Sequence, residues 1–411
     1  MAVYCAEDTL VLFAASEWER HVERIVPSSL YRGFSPKQLS REKPEIILLG
    51  EDIPWELVKA AGVRTRIILG GSLETTRWSD AMLPRDADPI SRSACGWLMN
   101  PHFNLTKNAL VLTALTSDSR RKLTGLMRDN GIHVLAVDLP PLWDRLAWQE
   151  AWVDGMARVV RAIEEHTDKT VTRRALAAAI AQHEQVRAGV AAFRHASLIA
   201  GNALSPAMRQ LILESFWFAP NADEWLMRLK RLTAVLREYA RRHAKPAEER
   251  PRVLIAGSPV IFPNEKLPLL LESAGLALVD TVDSVSAQLE MPAPKLPRFG
   301  GVTGLLLQMA ECRLPRDASG AWTVNHGLLG GLKRKLDAQR VDGVVYHVLK
   351  GQIELDFELP RVEALCERYG VPVFRLETDY QQQDVEQLRI RMEAFAEMLR
   401  QQHMEGMRIA L

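Results

Sequence analysis

The chain has 411 residues, 47% of them hydrophobic and 25% charged, with 52 Lys and Arg against 51 Asp and Glu. That length is too great for one ordinary core and points to two domains, or two plus a helical insert. A formal net charge of +1 gives no electrostatic reason to expect nucleic acid or an anionic membrane as partner.

The opening residues, MAVYCAEDTLVLFAAS, carry an acidic pair and no basic stretch ahead of an apolar one, so no secretory signal is expected. No apolar run reaches the roughly 20 residues that span a bilayer. The four cysteines, Cys5, Cys95, Cys312 and Cys366, form no C-x-x-C pair and no disulfide framework. The expectation is a reducing cytoplasm.

Short apolar runs follow in chain order: EIILLG (45–50), RTRIILGG (64–71), ALVLTAL (109–115) and HVLAVDLP (133–140). Helical stretches such as WELVKAAG (55–62) and SDSRRKLTGLMRDNG (117–131) lie between them. Continuous β-rich runs alternating with helices predict parallel strands with crossovers, here a first α/β domain over residues 30–150. Residues 151–248 change character: LAAAIAQHEQVRAGVAAFRHASL (176–198) and EWLMRLKRLTAVLREYARRHA (224–244) have helical periodicity. Ser205-Pro206 reads as a helix start between them, and KPAEERPR (245–252) as a charged linker.

A second α/β domain, 249–411, has predicted strands RVLIAG (252–257), LALVD (276–280), GVVYHVL (343–349) and VPVFRLE (371–377), with helices at 264–274, 324–338 and 358–369. The stretch 291–301 holds three prolines and two glycines and reads as a loop; with the residues before it, 283–301 would suit a lid. A long amphipathic helix over 384–406 is expected to pack across a domain face. The fold class is therefore α/β: two Rossmann-like parallel-sheet domains, a helical segment between them and a long C-terminal helix.

Chemistry in such sheets sits beyond the carboxyl ends of the strands. There the chain places Gly257-Ser258-Pro259 and Lys350-Gly351-Gln352. Asn264 is a plausible cap for the helix after Pro263, whose free N–H groups could face a ligand or simply close a βα turn. His347 could act as a general acid or base near neutral pH, or be a core histidine with its nitrogens satisfied by neighbours. Neither G-x-x-x-x-G-K-S/T nor a G-x-G-x-x-G after a strand is present. No nucleophile elbow, H-E-x-x-H or paired C-x-x-C occurs either, so no metal site is predicted.

Five blocks fall in order: PWELVKAAG (54–62), LTSDSRRK (115–122), AGSPVIFPN (256–264), VDGVVYHVLKGQ (341–352) and GVPVFRLETDYQQQDVEQLRIRMEAFAEML (370–399). Together, over about residues 40–400, they resemble the 2-hydroxyacyl-CoA dehydratase and benzoyl-CoA reductase subunit family. The most distinctive is the last, in which a strand and E-T-D-Y precede a helix carrying R-x-x-A-F-x-E-M-L. The resemblance implies two Rossmann-like domains around a cleft, pairing as heterodimers, an iron–sulfur cluster in the cleft beside an acyl-CoA, and a separate ATP-dependent activator protein that supplies a high-energy electron. It also implies where the cluster's cysteines should stand. The C-P before a helix resembles Asp88-Pro89 here, and T-C-D resembles Thr116-Ser117-Asp118. G-C-P resembles Gly257-Ser258-Pro259, and the cysteine after the H-x-L-K turn resembles Gln352. All four are replaced. Soft thiolate sulfur holds such clusters, and serine or glutamine rarely can. Cys95, seven residues past Asp88, and Cys366, well past the turn, are both expected inside helices.

The expectation is a cluster-less subunit that contributes part of the acyl-CoA cleft and a dimer face, needs no cofactor of its own, and works beside a cysteine-bearing paralogous subunit with a 4Fe–4S cluster. Glu56 and His347 are the weak candidates for catalytic groups lining the substrate side. Ten tryptophans, seven of them before residue 153, fit a large buried face or ordinary packing equally well. The alternatives are a non-catalytic acyl-CoA or small-ligand binding protein on the same fold, and a repurposed cleft using His347 or Asp88 as acid–base groups.

Overall fold

GVVYHVL is buried along its whole length, and so is IILL at 46–49. Strands apolar on both faces need helices on both sides, which is what parallel crossovers provide. The computed structural model describes residues 45–99, 107–139, 144–219, 221–242, 250–297, 299–316, 318–320 and 324–410. The expectations for residues 30–44, for Cys5 and for most of the 245–252 linker lie outside these.

The first sheet contains β1 (Ile46–Leu49), β2 (Thr65–Ile68), β3 (Leu110–Leu115) and β4 (Val134–Asp138), in the order β2-β1-β3-β4. All its pairs are parallel. Helix α1 (Trp55–Ala61) joins β1 to β2, α2 (Leu73–Ser79) and α3 (Pro89–Met99) join β2 to β3, and α4 (Asp118–Asp129) joins β3 to β4. Four helices follow: α5 (Arg145–Thr167), α6 (Arg173–Ile199), α7 (Pro206–Glu214) and α8 (Ala222–Arg242). Ser205 caps α7 by accepting from the Met208 N–H, with Pro206 in the first turn, as its sequence predicts.

The second sheet repeats the topology. Its strands β5 (Arg252–Gly257), β6 (Ala277–Val282), β7 (Gly343–Leu349) and β8 (Val373–Thr378) lie in the order β6-β5-β7-β8, all parallel. Around them run α9 (Lys266–Ser273), α10 (Ser284–Leu289), α11 (Gly301–Arg313), α12 (His326–Ala338), α13 (Ile353–Asp356), α14 (Leu359–Glu367) and α15 (Val385–Ala410). Helix α15 lies across one sheet face, where Met392, Phe395 and Leu399 join Val253, Ile255 and Val345 in one core. This is the packing its sequence predicts.

Two expectations need correction. Helix α9 begins at Lys266, and Asn264 receives only a long contact of 3.4 Å from the Lys266 N–H; Pro263 and Asn264 form a separate turn ahead of it. The 283–301 segment is not all loop, because Asp283 caps α10 by accepting from the Ser286 N–H at 2.7 Å.

The helical segment shares its core with the first sheet. Trp148, Trp152, Phe193 and Trp225 pack with Ile46, Leu48, Leu110 and Leu112, and Leu305, Leu306 and Met309 of α11 enter the same cluster. A helix from the second half is thus built into the first core. The two lobes also meet directly, where the buried Tyr380 hydroxyl donates to the Gly70 carbonyl at 2.8 Å. No helix among the described residues is long and apolar enough to cross a membrane.

Candidate functional site

In each sheet the strand order reverses at one place, between β1 and β3 and between β5 and β7. Ligands of open α/β sheets bind in the crevice at such switch points. Here both crevices open into one cavity, about 570 Å³ of empty space with part of it open solvent. Glu51 and Asp52 follow β1, Thr116 and Ser117 follow β3, Gly257 and Pro259 follow β5, and Gln352 and Glu354 follow β7; all line it, with Asp88 and Arg120.

The turn after β5 holds Ser258 tightly. Gly257 has φ +113°, and a Cβ there would sit 2.3 Å from the His347 carbonyl oxygen, so only glycine fits. The Ser258 N–H donates to that carbonyl at 2.8 Å. Its Oγ accepts from the Leu349 N–H at 2.8 Å and donates to Gln352 Oε1 at 2.6 Å. Gln352 Nε2 in turn donates to Asp88 Oδ1 at 3.0 Å. Asp88 is itself the cap of α3: Oδ1 accepts from the Ile90 N–H at 3.2 Å, and Oδ2 from the Ser91 N–H at 3.0 Å and the Ser91 hydroxyl at 2.7 Å. Gly351 (φ +88°) makes the approach possible, because a Cβ would lie 2.9 Å from the Asp86 carbonyl and 3.0 Å from the Asp88 nitrogen.

Three of the four positions singled out in the sequence therefore form one chain across the cleft, Ser258–Gln352–Asp88. The fourth, Ser117, lines the cavity and caps α4 by accepting from the Arg120 N–H at 3.1 Å. These donors do not suit an iron–sulfur cluster. They are two hydroxyls, an amide and a carboxylate, each engaged by protein partners, where a cluster needs free thiolates. The described cysteines offer no substitute. Cys95 and Cys366 are buried in α3 and α14, and burial pushes their thiols up to about 11 and about 12, the reverse of a ligating thiolate. Cys312 is raised by burial too. Among the described residues no group of three His, Cys, Asp or Glu is placed to hold a metal ion.

His347 and Glu56 lie outside the cavity wall. His347 is 2% exposed; Nδ1 meets the Ser258 carbonyl at 2.8 Å and Nε2 the Thr378 hydroxyl at 2.8 Å. Burial, with Lys266 adding to it, pushes the imidazole down to about 4, so the ring is neutral at pH 7 and donates from Nδ1. It pins the Ser258 turn. Glu56 sits on α1, bound to His183 Nδ1 at 2.6 Å and 3.4 Å from Arg313 Nη2. Burial alone would raise its carboxyl, but His183 and Arg313 outweigh that and hold it down to about 2. This buried group ties α1, α6 and α11 together.

Sequence reasoning missed two residues of the wall. Arg120, in LTSDSRRK, turns back to donate from Nη1 to the Leu49 carbonyl at 2.7 Å, leaving its buried Nε without a partner. Glu354 is raised to about 7, chiefly by burial and then by Asp88 and Asp118. Nothing in the local sequence marks either one: Leu49 lies 71 residues from Arg120, and Asp88 and Asp118 reach Glu354 from the other lobe.

Fold and site define a class: a two-lobed parallel α/β protein with a polar ligand cleft at the paired switch points. Within that class a sequence model of the 2-hydroxyglutaryl-CoA dehydratase D-component matches residues 52–399, and the chain belongs to that family. It is 26% identical over 355 residues to YjiM of Escherichia coli (strain K12), whose name marks it provisionally as a dehydratase subunit; the match covers 84% of this chain and 89% of that one. It is 20% identical over 347 residues to the (R)-phenyllactyl-CoA dehydratase beta subunit of Clostridium sporogenes, again covering 84% and 89%.

Proposed function

We propose that this chain is a cluster-less subunit of a 2-hydroxyacyl-CoA dehydratase type complex, or of the related benzoyl-CoA reductase type, working in the cytoplasm. It contributes part of an acyl-CoA cleft and a dimer face. A cysteine-bearing paralogous subunit holds the 4Fe–4S cluster, and an ATP-dependent activator serves that partner. The observation that carries this reading is the Ser258–Gln352–Asp88 chain. It occupies the positions where the family resemblance puts thiolates, while the cavity beside it stays open. That open cavity also favours a second reading, an accessory protein that binds an acyl-CoA or another small ligand without chemistry.

The test is to isolate the tagged chain anaerobically from its native cells and determine co-purifying proteins and iron. A stoichiometric cysteine-bearing partner of the same family, carrying iron, is the expected result. A colourless chain alone or paired only with itself would overturn the subunit reading and leave the binding one.

A further inference from the structure

A second cavity lies beyond the carboxyl end of β6. It encloses about 330 Å³ of empty space, part of it solvent, and shares Ala318 with the cleft. Its charged wall is made by Asp283, Glu290, Arg316, Arg334 and Lys335.

These charges do not balance. Lys335 donates to Asp280 and Glu290 at 2.6 Å each, and Arg194 pairs with the same two carboxylates, so these two cations and two anions neutralise one another. Asp283 is tied to Ser286, through the N–H at 2.7 Å and the hydroxyl at 2.6 Å, and burial raises its carboxyl. Arg316 and Arg334 are left over. Neither forms an ion pair with a described residue. Burial lowers Arg334 and the charge of Arg316 lowers it further, against a smaller opposing pull from Glu290, whose carboxylate is already paired with Lys335 and Arg194. The Arg334 side chain folds back along its own helix, placing Nη1 3.3 Å from where a Cβ on Gly330 would stand. Gly327, in the first turn of α12, also lines the cavity, and the positive end of that 13-residue helix adds to the field. Two guanidiniums without an ion-pair partner of their own among the described residues, on the wall of one cavity, make a site for a doubly charged oxyanion. Arginine forks match phosphate geometry.

We propose that this pocket binds a phosphate group, and we infer that its source is the phosphate-bearing end of the acyl-CoA whose acyl end occupies the cleft. Ala318 lines both cavities, so the phosphate pocket adjoins the cleft assigned above to the acyl end. The source, though not the pocket, rests on the function proposed above.

Calorimetric titration of the complex as purified, at low salt, tests both parts with coenzyme A and inorganic phosphate as probes. The variant is Arg316→Gln with Arg334→Gln, its fold checked by circular dichroism and its thermal midpoint. The expected result is coenzyme A binding that weakens about tenfold or more in the variant and recovers in part in Arg316→Lys with Arg334→Lys. Equal binding by wild type and Gln variant would overturn the pocket and leave the cleft reading standing. Phosphate binding lost in the variant, with no coenzyme A binding to wild type, would support the pocket and overturn the acyl-CoA source. No binding of either probe would overturn the pocket.

Discussion

Replacing Gln352 by leucine tests the hydrogen-bonded chain that crosses the cleft. Leucine keeps most of the volume but removes both side-chain bonds. Ser258 keeps the Leu349 N–H as donor but loses its acceptor at 2.6 Å. Asp88 loses the 3.0 Å bond to Nε2 but keeps three donors from Ile90 and Ser91, so no bare buried charge results. A neutral hydrogen bond contributes about 1 kcal/mol and one to a carboxylate about 1.5–3 kcal/mol. Partial exposure of Gln352 puts the second at the low end, so Gln352→Leu should destabilise by about 2–3 kcal/mol. Urea denaturation at pH 7, followed by tryptophan fluorescence, measures this. In a double-mutant cycle with Ser258→Ala, the shared bond should appear as a coupling of about 1 kcal/mol. A loss below about 0.5 kcal/mol with fully additive effects would refute the chain, and with it the claim that the cluster positions are refilled.

Asp88→Cys, Ser117→Cys, Ser258→Cys and Gln352→Cys combined should let the chain take up iron and sulfide on anaerobic reconstitution; no uptake would mean that the cleft has been refilled beyond these four side chains. Glu56→Ala should cost about 3–5 kcal/mol by leaving His183 and Arg313 buried without their carboxylate, read as a fall in the urea midpoint; an unchanged midpoint would count against the ion cluster. His347, depressed to about 4 by burial, should contribute stability that is present above the usual histidine pKa of about 6.5 and is lost as pH falls from there towards 4. Nitrogen chemical shifts of the ring should show the neutral, Nδ1-protonated form at pH 6, and an imidazolium there would contradict the buried geometry.

Where a signal was local, the sequence carried it. RVLIAG and GVVYHVL are strands at the predicted residues, because strands buried on both faces leave an uninterrupted apolar run. Ser205-Pro206 starts its helix for equally local reasons. The site was legible as positions and not as contacts. Ser258 and Gln352 stand out as turn residues at strand ends, but their bond joins residues 94 apart, and the next link, to Asp88, spans 264. Glu56 meets His183 and Arg313 across 127 and 257 residues. No periodicity records such pairings. Helix α11 was missed since most of its residues are small or apolar, with no polar stripe to set a period, and the neighbouring prolines and glycines read as loop.

The junction between the lobes holds a further buried feature with a measurable consequence. Glu214 accepts from the Phe262 N–H at 2.6 Å and from Gln210 at 2.7 Å, yet burial raises its carboxyl to about 8. Glu265 has two buried oxygens without a described hydrogen-bond partner, and burial followed by the charge of Glu214 raises it well above the usual range. Glu214 keeps its proton in the native state at pH 7 and loses it on unfolding. Between about 4.5, the ordinary glutamate value, and about 8 for Glu214, the native state binds more protons than the unfolded one. Stability therefore falls as pH rises through this window, by about 1.4 kcal/mol per pH unit for Glu214, and the raised Glu265 acts in the same direction. Glu214→Gln keeps an oxygen for the Phe262 N–H and carries no ionisable group, so it should remove one proton's share of that slope and be more stable than wild type at pH 8. Urea midpoints at half-unit intervals from pH 5 to 9 would show it. Parallel curves for wild type and variant would mean that Glu214 ionises in the folded protein as it does in water, and that this junction is wetter than the packing of Tyr380, Phe262 and Glu265 implies.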